Sequence, residues 1–333
     1  MTTSLLPGAS PTSPPALLRA SRLVAPVLDD VVGRLDPSLR EAARHHLAGG
    51  GKHVRAGITL LAAAAAGGAE EDAICGAVAV ELVHNYSLIH DDIIDGDRER
   101  RHRPTVWAEY GVGTAIVVGD ALAALATEVL LEDPSARRVR AASKVAAANQ
   151  EMIGGQAADM AFERRSEVTV EECTQMERGK TGALLSCAAA VGALLGGGDD
   201  DVVDALADYG EHLGIAFQAI DDLLGMWGDP AVTGKPVGAD LLARKKTLPV
   251  AVALQAGADE AKELRAILSG RPDQETAARA ADLIAATGAR DEVAAMADAS
   301  LQAALGALER VELAAGPKQE LVAVARFVTA RDR

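Results

Sequence analysis

From about Leu17 onward, apolar residues recur at three- and four-residue spacings along almost the whole chain, which is the pattern of amphipathic helices. Gly and Pro punctuate it at Gly49–Gly51, Gly67–Gly68, Gly111, Asp133–Pro134, Gly196–Gly198, Gly228–Gly238, Gly270–Pro272 and Gly316–Pro317. The stretches between these breaks are rich in Ala, Leu, Glu and Arg, all strong helix formers. No run alternates with the period of a strand, and no fixed-period repeat is visible. The pattern predicts an all-α fold of about ten or more helices in a single domain over residues 17–333. Residues 1–16 differ. Pro7, Pro11, Pro14 and Pro15 stand there among Ser, Thr and Gly, which predicts a disordered tail.

Composition sharpens this reading. Hydrophobic residues make up 49% of the 333, but aromatics only 2%, so Ala, Leu, Val and Ile must fill the core. That favours close-packed helices over a sandwich or barrel. The net charge of -15 argues against a nucleic-acid or anionic-membrane partner, although local cations can still hold an anionic substrate. Cys75, Cys173 and Cys187 are too few and too scattered for a disulfide framework or a zinc site. The first basic residue is Arg19 and Leu5–Leu6 is too short for a signal peptide's apolar region. The most apolar stretch, Thr114–Leu131, is interrupted by Asp120, Thr127 and Glu128, so no membrane span is expected. A cytoplasmic location is the expectation.

The informative segment is ELVHNYSLIHDDIIDGDRERRHRPT, residues 81–105. On a helix, Asp91 and Asp95 share one face, with His84 two turns earlier on nearly the same face. Such a carboxylate pair suits a hard cation such as Mg²⁺, which keeps waters and bridges to phosphates. A solvated acidic surface is the ordinary alternative, and it fits poorly beside Leu82, Val83, Leu88, Ile89, Ile93 and Ile94. A second Asp-Asp pair, Asp221–Asp222, lies in the apolar LGIAFQAIDDLL, with Lys235, Lys245 and Lys246 beyond it. Facing helices of this kind would grip a diphosphate through metal ions on one side and Lys or Arg on the other. Gly228–Lys235 is no phosphate loop, because Pro236 follows the lysine and five residues separate the glycines.

HDDIID with DRERRHRPT, paired with FQAIDD and GKPVGADLLARKKTLP, resembles the trans-isoprenyl diphosphate synthases, the polyprenyl synthetase family. Gly50-Gly51-Lys52-His53-Val54-Arg55, Gly119-Asp120, Gly155-Gln156 with Asp159, and Gly179-Lys180-Thr181 follow in the family's order, over residues 35–249. The resemblance implies an isoprenoid-synthase-type helical bundle around a central cavity, a homodimer, and a prenyl transfer using about three Mg²⁺ per site. An allylic diphosphate ionises, isopentenyl diphosphate attacks the cation, and a proton leaves. By the same resemblance, Asp91 and Asp95 bind two metals with Asp92 in support, and Asp221 binds a third with Asp222 and Asp229 behind it. Arg100, Lys180, Lys235 and Lys246 hold the allylic diphosphate, Thr181 and Gln218 line the reacting centre, and Lys52, Arg55, His84 and Arg101 hold isopentenyl diphosphate. Gln156 and Asp159 are either supporting or purely structural. Two positions depart from the pattern: Gly225 stands where many members carry a third Asp, and His53 where an Arg is common.

Other readings fit these residues less well. A terpene cyclase on the same fold would not need Lys52, Arg55, His84 and Arg101, and a non-catalytic partner subunit would not keep Asp91, Asp92 and Asp95 intact. A helical structural protein leaves both Asp pairs unexplained. Product length follows from Tyr86 and Ser87, five and four residues before Asp91, roughly 7.5 and 6 Å deeper at the helical rise. An aromatic at the fifth position alone resembles geranylgeranyl diphosphate (C20) producers, with farnesyl diphosphate (C15) the next choice. The DDLLG form of the second motif also resembles cargo enzymes of protein-shell compartments, which would give the Pro-rich tail a packaging role.

Overall fold

The computed structural model describes residues 13–228, 238–243, 245–257, 259–270 and 272–330. Its helices are α1 (Pro15–Val32), α2 (Pro37–Leu47), α3 (Val54–Ala65), α4 (Ile74–Asp95), α5 (Val106–Tyr110), α6 (Val112–Leu131), α7 (Ala136–Phe162), α8 (Val170–Glu177), α9 (Ala183–Leu195) and α10 (Asp200–Trp227). They continue as α11 (Ala239–Leu242), α12 (Leu248–Gln255), α13 (Asp259–Ser269), α14 (Gln274–Ala286), α15 (Ala289–Ala307) and α16 (Ala315–Thr329). The strands among the described residues are β1 (Glu99–Arg100) and β2 (Arg103–Pro104), which pair as an antiparallel hairpin. The all-α expectation holds.

Local signals set the helix ends. Asp36 accepts the Ser38 N–H at 2.9 Å with Pro37 at the first helical position of α2. Thr169 and Glu172 form a reciprocal capping box at the start of α8. Gly96, with φ of 72°, closes α4 one residue after Asp95. Pro15 and Ala16 belong to α1 rather than to the tail. Residues 1–12, on which the packaging expectation rests, lie outside the described residues.

The chain divides into two compact units made of interleaved segments. The first comprises the described residues up to Asn149 with Cys187–Ala207 and Leu308–Val324, and the second comprises Gln150–Ser186, Asp208–Ala307 and the described residues from Ala325. In the first, α4 packs along α6 and also against α1 and α3, burying Leu82, Val83, Tyr86 and Ile89. By length and composition α6 is apolar enough to cross a membrane, contrary to the reading of its interrupting polar residues. Ala115, Val118, Leu122, Leu125, Ala126 and Val129 are buried, in the manner of a helix packed on protein. In the second unit, Ile220, Leu248, Val250, Leu264, Ile284 and Val293 are among the residues of one apolar core.

Candidate active site

The last turn of α4 carries Asp91 half-buried, Asp95 exposed, and Asp92 at 1% exposure. Arg100 Nε donates to Asp92 Oδ1 at 2.7 Å, while the buried Oδ2 has no protein partner. Burial raises the Asp92 carboxyl to about 6 even against the Arg100 charge. The β1–β2 hairpin delivers Arg100 to this place. Arg101 and His102 at its turn both have φ above zero (52° and 60°), the form that matches strand twist in a two-residue turn. Thr105 Oγ1 and Trp107 Nε1 both donate to the Asp97 carbonyl at 2.8 Å, which fixes the loop from α4 to the hairpin.

The same unit carries a cationic group. Lys52 is exposed on the loop before α3. Arg55 Nη1 lies 3.4 Å from His84 Nε2, and Arg101 places its guanidinium over Gly51, where a Cβ would meet Nη1 at 3.3 Å. Burial and the Arg55 charge drive the His84 imidazole well below its usual range, so it is neutral and accepts from Arg55. The sequence reading did not single out the group beneath them, Glu81. Its Oε1 accepts the Ala56 N–H at 3.2 Å and its Oε2 lies 3.6 Å from His53 Nδ1. Burial alone would raise this carboxyl, but His53, with Arg55, brings it down to about 2. A charged residue in an apolar helical run, three residues before His84, was the available signal.

Tyr86 is 6% exposed, and its hydroxyl donates to Asn149 Oδ1 on α7. Half-buried Ser87 donates from Oγ to the His84 carbonyl at 2.8 Å.

In the second unit a single wider π-type turn, Arg178–Gly182, links α8 to α9 and presents Lys180 and Thr181. Lys180 Nζ pairs with Asp159 Oδ2 at 2.6 Å. Gly155 lets α7 approach this turn, since a Cβ there would sit 2.3 Å from the Lys180 nitrogen. The Gln156 Oε1 is buried without a partner. Thr181 Oγ1 donates to Gln218 Oε1 at 3.0 Å, Gln218 Nε2 donates to Asp222 Oδ1 at 2.9 Å, and the Leu248 N–H donates to Asp222 Oδ2 at 2.9 Å. Asp221 is exposed on the same turn of α10, whereas Asp222 is buried, with both oxygens taken by protein donors. Glu177, also missed from sequence, is 2% exposed beside Asp222; burial and the neighbouring carboxylate push it well above its usual range. Lys246 is 6% exposed, and its carbonyl accepts from Cys173 Sγ at 3.3 Å. Gly225 has a specific neighbour: a Cβ there would lie 2.0 Å from Asp240 Oδ2. Asp229 and Lys235 lie outside the described residues.

The donors offered by Asp91, Asp95 and Asp221 are carboxylate oxygens. Among the described residues no group of three His, Cys, Asp or Glu side chains is assembled around a metal position. One or two carboxylates completed by water and phosphate oxygens is the manner in which Mg²⁺ is usually held. The donor chemistry fits that ion.

The polyprenyl synthetase family model matches residues 36–284. A (2E,6E)-farnesyl diphosphate synthase of Mycobacterium tuberculosis is 42% identical over 95% of the chain and 93% of its own length. A geranylgeranyl diphosphate synthase of the same organism is 41% identical over 95% and 94%. The crystal structure of a polyprenyl synthetase from Streptomyces coelicolor superposes with a TM-score of 0.90 at 45% identity, covering 94% of this chain and 98% of that one. A geranylgeranyl pyrophosphate synthase from Corynebacterium glutamicum, crystallised with isoprenyl diphosphate and magnesium, superposes with a TM-score of 0.83 at 29% identity, covering 95% and 97%. Two M. tuberculosis enzymes with different products match at 42% and 41% identity, so similarity fixes the reaction class and leaves the chain length open. The chain belongs to the polyprenyl synthetase family and is an all-α polyprenyl diphosphate synthase.

Proposed function

We propose that the protein condenses isopentenyl diphosphate with allylic diphosphates to a short-chain product, geranylgeranyl diphosphate (C20). The observation that carries this reading is the cationic group that Arg55 and Arg101 form around His84, on the helix whose last turn carries Asp91 and Asp95. A cationic site in addition to a carboxylate edge suits a reaction of two diphosphates, whereas a cyclase working on one has no use for it. Lys52, Arg55, His84 and Arg101 are assigned to isopentenyl diphosphate. Arg100, Lys180, Lys235 and Lys246 are assigned to the allylic diphosphate. Asp91, Asp95 and Asp221 would hold Mg²⁺, with Asp92 and Asp222 behind them as anchors for Arg100 and Gln218. When bound, the metal neutralises charge on the departing diphosphate.

The protein's own groups do the rest. Thr181 and Gln218, locked together at 3.0 Å, present oxygen dipoles to the developing allylic cation. The apolar flank of α4 keeps water from quenching it. The growing chain runs from Asp91 toward Tyr86, whose buried ring closes the floor, while Ser87 leaves room beside it. Two copies are assigned to the working enzyme, acting in the cytoplasm; the exposed Ile116 and Val117 of α6 favour pairing through that helix.

The farnesyl diphosphate synthase relative favours a second reading, a C15 product. Incubation with Mg²⁺, isopentenyl diphosphate and dimethylallyl, geranyl or farnesyl diphosphate in turn separates the cases. A C20 main product is expected. C15 that is not extended further would replace the length assignment, and hydrocarbon formed from a long diphosphate alone would overturn elongation.

A further inference from the structure

We propose that Asn149 is a specificity-determining residue that sets product length by holding the Tyr86 ring across the floor of the chain-elongation path. The proposal rests on the elongase reading above and goes beyond the aromatic rule, which concerns the ring alone.

The Tyr86 ring is gripped from two sides within one unit. Its hydroxyl donates to Asn149 Oδ1 on α7, 63 residues away in sequence. Its ring packs edge-to-face with the His90 ring at a centroid distance of 5.6 Å and an interplanar angle of 76°. His90 is itself fixed, because Nε2 donates to the Ile116 carbonyl of α6 at 3.1 Å. It reaches that position only because residue 119 is glycine: a Cβ there would lie 2.1 Å from Nε2 and 2.6 Å from the adjacent ring carbon. One ring contact and one amide, from two different helices, therefore define the ring's orientation.

The anchor persists at working pH. Burial pushes the Tyr86 phenol up to about 12, so the hydroxyl keeps its proton and goes on donating. An advancing hydrocarbon could move the ring only by breaking that part-buried hydrogen bond. Without the anchor, the ring keeps its volume but regains rotation about its side-chain bonds, and a floor that swings no longer stops the chain. The aromatic rule and the anchor therefore make opposite predictions for phenylalanine at this position.

The test uses the full-length protein with Mg²⁺, isopentenyl diphosphate and farnesyl diphosphate, reading product lengths at equal conversion in the wild type, Tyr86→Phe, Asn149→Leu, the double variant and Tyr86→Ala. Tyr86→Phe and Asn149→Leu should each raise the ratio of longer products to the wild-type product roughly fivefold or more, the effect of losing one hydrogen bond of ordinary strength. The double variant should go no further than either single one, because both remove the same bond. Lengthening in Tyr86→Ala with wild-type distributions in both Tyr86→Phe and Asn149→Leu would overturn the anchor and leave the ring as floor. No change even in Tyr86→Ala would overturn floor and anchor together while sparing elongation itself. The conservative Tyr86→Phe guards against misfolding at Asn149, and a ratio of products is not mimicked by a general loss of activity.

Discussion

Glu81 on α4 closes the first turn of α3 by accepting the Ala56 N–H at 3.2 Å. That turn carries Arg55 and follows directly on Lys52, so a buried carboxylate supports the segment assigned to isopentenyl diphosphate. The same carboxylate faces His53, which starts α3 in the left-handed region at φ of 47°, a strained conformation for a side chain of this size. Helix α3 thus begins on an interaction with α4 rather than on a side-chain cap of its own.

This pair carries a pH signature. Glu81 sits at about 2 against 4.5 when free, so its contribution is present above 4.5 and is lost as pH falls toward 2. His53 is raised above 6.5, burial notwithstanding, by Glu81; its contribution is full below 6.5 and is lost as pH rises through the folded value. Glu81→Gln should cost about 3 kcal/mol near pH 6, since it leaves His53 buried without its counter-charge, and should flatten both slopes. Urea midpoints at pH 4, 6 and 8.5 check this. Parallel curves for wild type and variant would remove the pair from the account.

The helical frame and the carboxylate face of α4 were legible because both depend on spacing within one helix, where Asp91 and Asp95 must align. The hairpin that brings Arg100 to Asp92 was not legible: Arg101 and His102 take positive φ without the Gly or Asn that announces such a turn. Glu81 and Glu177 were missed because their meaning lies in contacts with Ala56 and Asp222, remote in sequence and invisible to periodicity. Pro15 misled by composition, for in a Pro-rich tail it is also a preorganised first residue of a helix.

Asp91→Ala or Asp95→Ala should lower turnover by about three orders of magnitude or more, since each removes an oxygen donor where charge separates. Both side chains lie in the last turn of α4, Asp91 half-buried and Asp95 exposed, so melting temperatures should stay within a few degrees of wild type. Near-normal turnover in either variant at saturating Mg²⁺ would remove that carboxylate from the site.

Gly225 cannot simply be returned to the aspartate that many relatives carry. The Asp240 carboxylate occupies the space, 2.0 Å from where a Cβ would stand. Gly225→Asp should therefore displace Asp240 and set two like charges together, lowering turnover about tenfold. A steady-state assay across Mg²⁺ concentrations checks this, and a gain in activity would mean that the missing carboxylate limits the enzyme.

The exposed face of α6 carries Val112 at 45%, Ile116 at 43% and Val117 at 48% exposure. Apolar side chains grouped this way on one helix favour cover by a second copy. Ile116→Glu with Val117→Asp should convert a dimer to a monomer in sedimentation equilibrium while helicity stays unchanged. An unaltered mass would place the contact elsewhere.

The space beside Tyr86 offers a control in the opposite direction from loosening the floor. Ser87 lies one residue nearer Asp91, roughly 1.5 Å higher along the helix. It is half-buried, and its hydroxyl is already satisfied by the His84 carbonyl at 2.8 Å, so it makes no demand on the path. A phenyl ring in its place would extend from the same helix into the volume that serine leaves open, meeting the growing chain before it reaches Tyr86. Ser87→Phe should therefore make C15 the main product and nearly abolish extension of farnesyl diphosphate, while extension of dimethylallyl diphosphate continues. The comparison of those two starters separates a blocked path from a damaged site, because damage would slow both alike. If Ser87→Phe extended farnesyl diphosphate as the wild type does, the chain would not pass this face of α4 and Tyr86 would lose its place as the floor.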